Sequence, residues 1–468
     1  MRTPLTAAAL CALTAAASPT AAQTQRDDSS ATVPNSVGEI VIVQAGRVLD
    51  RPGRAPRGPT SIVIRDGRVV ALVDGHVNLF EGQILGTPSG EIRNGRMTAN
   101  RNTRVIDLRD RFVLPGLIDS HVHLRSDVAG QAGLIEGLTS SQAAGAYEAA
   151  VNARKTLDAG FTTVRNLGDN DGITLALRDA IAAGKVPGPR IVDAGDSIST
   201  TSGHMDSTLG LKEELHEAIS EGNLCDGADA CRRAVRLQVR RGVDVIKIAT
   251  TGGVNSRIGA GLGKQMFDDE AKAIVETAHL YGKKVAVHAH GADGVKVALM
   301  AGADSIEHGT IMDDETLQLF KRTGAYYVPT LSTVNGYLER IAKDPNAYSP
   351  EVRSKIDWRI KVTGESLRKA VPAGVKIAFG TDAGVSKHGR NADEFELMVR
   401  HGMTPASAIQ AATVNAADLL GLGAEVGALE PGKRADLIAV QGDPLRDVTV
   451  LKQVGFVMKD GVVHKDLR

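Results

Sequence analysis

From Phe112 onward the chain repeats one pattern: a short apolar run, a polar residue or two at its end, then an amphipathic stretch. The apolar runs are 113–124, 162–167, 190–194, 244–250, 284–290, 304–308, 326–331 and 375–381, and stretches of helical period such as 268–281 and 294–301 lie between them. Short, continuously apolar runs read as strands buried on both faces, and their alternation with helices predicts parallel βα units. Eight such units predict an α/β fold, a (β/α)₈ TIM barrel. The competing topology is an open doubly wound sheet. No Gly-rich dinucleotide fingerprint follows any of the strands, which argues against it.

Before and after this region the period changes to that of exposed strands. Runs rich in Val and Ile at 39–49, 60–65, 68–73 and 103–108 precede it, and runs at 434–440, 448–450, 454–459 and 462–464 follow it. Asp66-Gly67 and Asp460-Gly461 are hairpin signals between neighbouring runs. Both ends together predict a small β-sandwich domain. Residues 76–102 read as an extra loop or hairpin.

The first 37 residues stand apart. Arg2, an apolar run over 7–17 and the small residues Thr20, Ala21 and Ala22 form the layout of a cleavable export signal. The run is too short to span a bilayer, and no later stretch is long and apolar enough to do so. The expected organisation is a signal peptide at 1–22, a polar linker at 23–37, a β domain shared by 38–111 and 422–468, and a barrel at 112–421. This predicts a periplasmic or secreted protein with no membrane attachment after cleavage. Lys+Arg 55 balance Asp+Glu 55 without a basic block, which argues against nucleic acid as a partner. Beyond the signal only Cys225 and Cys231 remain. They form a disulfide across a short loop or stay as two unpaired surface thiols.

The informative polar residues sit where the predicted strands end, which is where barrel enzymes place their sites. His121 and His123 lie two apart on a strand, so both imidazoles share a face and suit a divalent metal. Lys247 interrupts Val-Asp-Val-Ile-Lys-Ile-Ala; a lysine inside an apolar strand must be paired, neutral or modified. Addition of CO₂ to its neutral amine would give a carbamate able to bridge two cations. His288 and His290 end the fifth run, His308 the sixth and Asp382 the eighth. Each alone reads equally as a structural residue; their order along successive strands points to one metal site. His204, in Thr200-Thr-Ser-Gly-His-Met-Asp, is a substrate-side candidate or an exposed loop histidine. Arg257, in Gly252-Gly-Val-Asn-Ser-Arg, is a candidate grip for a substrate carboxylate or an ordinary solvated arginine.

With Phe112-Val-Leu-Pro-Gly-Leu-Ile-Asp-Ser-His-Val-His and Leu429-Glu-Pro-Gly-Lys-Arg-Ala-Asp-Leu-Ile-Ala-Val, the chain resembles the amidohydrolase superfamily. The resemblance is to the branch of imidazolonepropionase-like proteins, Xaa-Pro dipeptidases and ochratoxin-degrading amidases. It implies His121, His123 and Asp382 around a buried metal, His288 and His308 on a more exposed one, and Lys247 bridging both as N6-carboxylysine. His288 is preferred to His290 as ligand, and His290 then polarises the substrate carbonyl. The cofactors implied are two divalent ions, zinc first among Zn²⁺, Mn²⁺, Co²⁺ and Fe²⁺, with CO₂ held as the carbamate. The reaction implied is attack on an amide by a hydroxide shared between the cations, with Asp382 taking its proton. Substrates implied are a dipeptide, cut as by a dipeptidase or carboxypeptidase, or an N-acyl amino acid of ochratoxin type. The alternatives are a cyclic amide, or no reaction at all in a secreted binding protein on the same scaffold. Barrels of this kind often form homo-oligomers.

Overall fold

The computed structural model describes residues 40–80, 92–93, 96–98, 103–169, 171–219, 222–257 and 261–467. The expected signal at 1–22 and linker at 23–37 lie outside the described residues, as does most of 76–102.

The central element is a closed ring of eight parallel strand segments. Leu117–Val122 pairs with Phe161–Asn166, and that strand pairs with Arg190–Asp193. Asp244 N donates to Asp193 O at 2.8 Å and Ile198 N to Lys247 O at 2.8 Å, which joins the third strand to Val245–Ala249. Lys284–Ala289, Ser305–His308 and Tyr326–Val328 follow in register. The eighth run, 375–381, is too irregular for a continuous strand, yet it closes the ring. Tyr327 N donates to Lys376 O at 2.8 Å on one side, and Ser120 N to Phe379 O at 2.9 Å on the other. Helices such as Asp268–Leu280 and Ala292–Ala301 return the chain around the outside. Several start on a side-chain cap, as where Asp313 accepts from Thr316 N at 2.8 Å, and end on a left-handed glycine such as Gly324.

The two chain ends build a seven-stranded sheet. Its order is Val462–Asp466, Phe456–Lys459, Leu437–Val440, Thr103–Pro115, Ile40–Val48, Thr60–Arg65, Arg68–Asp74. The far edge curls back, with Val69 N donating to Lys433 O and Ala435 N to Gly67 O. Facing strands thereby share one apolar cluster that includes Val43, Ile62, Ile106, Leu437 and Phe456. Asp66-Gly67 and Asp460-Gly461 make the expected hairpin turns, all four residues having positive φ. Asn78–Phe80, Ile92–Arg93 and Arg96–Thr98 form a small separate sheet in the extra segment.

Two expected strands are corrected. The run at 448–450 is a 3₁₀ helix, Val448–Lys452, because the Asp447 carboxylate accepts from both Thr449 N (2.9 Å) and Thr449 Oγ1 (2.7 Å) and starts a turn. The run beginning at 113 is divided: 113–115 belongs to the strand Thr103–Pro115, and the barrel strand starts only at Leu117. Gly116 makes the break, and a Cβ there would collide with the Thr162 side chain.

Candidate metal centre

At the C-terminal mouth of the barrel, eight of the nine side chains expected in the site line one cavity of about 210 Å³. They are His121 and His123, Lys247, His288 and His290, His308, Asp382 and the loop residue His204. His123 Nε2 lies 3.2 Å and His121 Nε2 3.5 Å from Asp382 Oδ1. Ligand atoms of these three residues lie within 4.8 Å of one another, a grouping able to hold one cation. The His308 ring centroid is 5.1 Å from that of His121 and 4.5 Å from that of His288. The imidazoles therefore form one continuous cage rather than scattered contacts.

Hydrogen bonding decides which nitrogen of each ring is bare. His121 Nδ1 donates to Glu307 Oε2 (2.9 Å), and His123 Nδ1 donates to Gly168 O (2.8 Å). A carboxylate or carbonyl oxygen only accepts, so both rings keep an Nε2 lone pair. His308 Nδ1 meets Thr330 Oγ1 at 2.7 Å, and that hydroxyl donates its proton to Pro329 O at 2.8 Å. The histidine must then be the donor, which leaves its Nε2 bare too. His288 Nε2 donates to Gly252 O at 3.3 Å, which leaves Nδ1 as its free lone pair. His290 differs. Its Nδ1 faces Thr310 Oγ1 at 2.8 Å, a hydroxyl free to donate, so Nε2 is able to carry a proton toward the cavity. The ring chemistry thus separates His288, a candidate ligand, from His290, a candidate donor.

Lys247 is 1% exposed, and its Nζ has no hydrogen-bond partner among the described residues. Burial lowers the amine to about 8, so a fraction on the order of a tenth is neutral at pH 7. An orphaned amine beside four bare imidazole nitrogens and the Asp382 carboxylate is a donor set whose chemistry fits divalent metal. Burial alone would raise Asp382, but His121, His123 and Lys247 outweigh it and hold the carboxyl at about 2. His308 and Asp382 both adopt left-handed φ, 70° and 56°, strained for non-glycine residues and typical of functional strand ends.

A buried frame supports the cage. Glu307 is wholly buried and accepts from Arg165 Nη2 (2.8 Å), His121 Nδ1 (2.9 Å) and Ser305 Oγ. Against burial, Arg165 and His121 hold it at about 2. Asp119 accepts from Thr381 Oγ1 (2.6 Å), Asn391 Nδ2 (2.8 Å) and His121 N (3.1 Å), tying the first strand to the eighth. Neither Asp119 nor the Arg165–Glu307 pair is among the candidates read from the sequence. A charged residue within each of Thr-Thr-Val-Arg-Asn and Ser-Ile-Glu-His, two otherwise apolar strands, is the signal that points to such a pair.

His204 is half-buried, its ring centroid 4.2 Å from that of His288, so the reading as an exposed loop histidine is corrected. It reaches this place because Gly253 has no Cβ to collide with its ring, and Ser256 Oγ holds its Nδ1 at 2.6 Å. Of the two readings of Arg257, the solvated arginine stands: it is exposed, packs beside Gly210 and does not line the cavity. In its place the cavity wall carries Arg359, from the helix Pro350–Lys361, with Tyr337 and Asn255. Cys225 and Cys231 are bonded and buried, which replaces the alternative of free surface thiols.

The family model described as "Amidohydrolase family" matches residues 112–464. A crystal structure of a Xaa-Pro dipeptidase with bound methionine superposes with a TM-score of 0.82 at 39% identity, covering 91% of this chain and 100% of that one. Ochratoxinase of Aspergillus niger is 32% identical over 444 residues, covering 91% of this chain and 87% of the relative, and its crystal structure gives a TM-score of 0.75. Imidazolonepropionase of Symbiobacterium thermophilum is 26% identical over 438 residues, covering 86% and 90%. The chain belongs to the amidohydrolase family and is a hydrolase of amide C–N bonds.

Proposed function

We propose that the protein is an exported, binuclear amidohydrolase that cleaves an amide next to a free carboxylate, in a dipeptide or an N-acyl amino acid. The observation that carries this is the orphaned Nζ of Lys247 inside the cage of imidazoles and Asp382. His121, His123 and Asp382 would hold one divalent cation and His288 and His308 a second, with Lys247, once converted to a carbamate, as a further anionic ligand. When bound, such cations polarise a carbonyl and lower the pKa of water toward roughly 7. Zinc is the first candidate for the N- and O-rich donor set.

The chain's own residues then divide the work. Asp382, held as a carboxylate, accepts a proton from the attacking water and delivers it to the leaving amine nitrogen. An amide nitrogen leaves poorly as an anion, so this transfer is essential. His290, neutral through burial, donates Nε2–H to the carbonyl oxygen as charge develops there. The structural neighbour with bound methionine supports an amino-acid product, and the similarity to ochratoxinase supports an amide of ochratoxin type as a candidate substrate.

Export is supported by the signal pattern over residues 1–22 and by the Cys225–Cys231 disulfide, a bond that persists in oxidising compartments. N-terminal sequencing of secreted or periplasmic protein should begin near Gln23.

The test is metal analysis with an amide panel on protein supplied with bicarbonate. Two cations per chain and chelator-sensitive cleavage of dipeptides or N-acyl amino acids are expected. Turnover confined to cyclic amides would favour an imidazolone-type reaction. A metal-free, inactive protein would favour a binding role.

A further inference from the structure

Arg359 is a buried cation, 2% exposed, that no carboxylate among the described residues contacts directly, although Glu394 and Asp382 lie near enough to act on it through space. Its guanidinium makes only long bonds to neutral acceptors: Nη1 to Thr363 Oγ1 at 3.3 Å, and Nη2 to Thr330 O at 3.3 Å and Pro329 O at 3.5 Å. A guanidinium carries five donors, and a buried charge is costly unless it is paired. Arg359 lines the same cavity as the imidazole cage, so the missing anion has a place to enter.

The mounting of Arg359 is rigid. Lys355, one turn earlier on the same helix, donates Nζ–H to Gly253 O at 3.1 Å and to Ser256 O, which pins the helix to the loop that seats His204. Trp358 presents its ring to His290 edge-on, with centroids 6.4 Å apart. Across the cavity wall, Asn255 donates Nδ2–H to the Tyr337 hydroxyl at 3.3 Å, and its buried Oδ1 has no partner among the described residues. One cavity therefore offers an unpaired planar cation and an unpaired acceptor beside the cage. A planar carboxylate matches the guanidinium in two-pronged fashion, and an N–H group matches the amide oxygen.

We infer that Arg359 binds the free carboxylate of the substrate and thereby restricts the enzyme to amides of amino acids with an unblocked carboxyl end, with Asn255 accepting from a substrate N–H. This rests on the amide-hydrolase reading above and assigns its specificity to one residue.

The test uses dipeptides and N-acetyl amino acids, each as the free acid and as the carboxyl-terminal amide, with the metal-loaded full chain. Wild type should prefer the acid over the matching amide by at least ~30-fold in kcat/KM, the range expected when one partner of a buried charge pair is removed. In Arg359→Met that preference should collapse to under about threefold, chiefly through a rise in KM for the acids, and Arg359→Lys should restore part of it. Metal content should not change in either variant. A wild type that cleaves acids and amides equally overturns the inference without needing any variant. Equal losses on both substrate forms in Arg359→Met overturn it as well. Absence of turnover on every member of the panel, with two metals bound, overturns the underlying reading instead.

Discussion

Replacing Glu307 by Gln should damage both stability and metal binding, for separable reasons. Among the described residues, the Glu307 carboxylate is the one anion paired with Arg165, which is 1% exposed. The remaining bonds of Arg165 go to neutral partners, Ser120 O at 2.6 Å and Ser305 Oγ at 3.1 Å. Removing one member of a buried pair leaves an uncompensated charge and costs about 3–5 kcal/mol. Domains are typically stable by only about 5–15 kcal/mol, so this is a large fraction. The second effect is on His121, whose Nδ1–H loses the acceptor that fixes its tautomer. Loss of such outer partners lowers metal affinity by about 10–100-fold. Urea unfolding of loaded protein reads the first effect, and competition with a chelator reads the second. In a cycle with Arg165→Met, the double variant should be less destabilised than the sum of the singles by at least ~1 kcal/mol. A Glu307→Gln protein within about 1 kcal/mol of wild type, with metal affinity unchanged, would refute the reasoning.

Asp382→Asn should lower kcat by more than about 100-fold, since general acid–base groups contribute 10²–10⁴, while much of the bound metal survives on the histidines; near-normal turnover would remove its proton-transfer role. Replacing Cys225 and Cys231 by Ser should destabilise by about 2 kcal/mol for so short a loop, read by denaturant unfolding, and no change would show that the bond constrains nothing. Burial raises Glu394 from 4.5 to about 7 although Leu331 N and Ser332 N donate to it. A carboxyl that keeps its proton longer in the folded state loses stability as pH rises from its unfolded to its folded value. Relative to Glu394→Gln, wild type should therefore lose on the order of 3 kcal/mol between pH 4.5 and 7, and a difference flat with pH contradicts this.

The barrel was legible because parallel strands buried on both faces read as apolar runs, and the cage because its polar residues end those runs. His121, Lys247, His288, His308 and Asp382 each interrupt or close an apolar segment, and all five line the cavity at the mouth. Arg359 gave no such signal. In Lys-Ile-Asp-Trp-Arg-Ile-Lys it looks like one more charge on an amphipathic helix, and only packing shows that this face turns inward. Arg257 could not be decided from the sequence: it follows a strand end closely, and only packing shows that its side chain lies beside Gly210 and not in the cavity. The strand expected at 448–450 failed because one capping aspartate outweighs three β-branched or apolar neighbours. The Glu307–Arg165 pair spans 142 positions, so its two halves were visible but their meeting was not.

The central claim is that Lys247 carries a carbamate shared by two cations. Metal-loaded protein equilibrated with ¹³C-bicarbonate should show one protein-bound carbamate carbon by NMR, lost in Lys247→Arg together with one of the two cations. A fully active wild type without that resonance, or a Lys247→Arg protein that keeps both cations and full turnover, would contradict it.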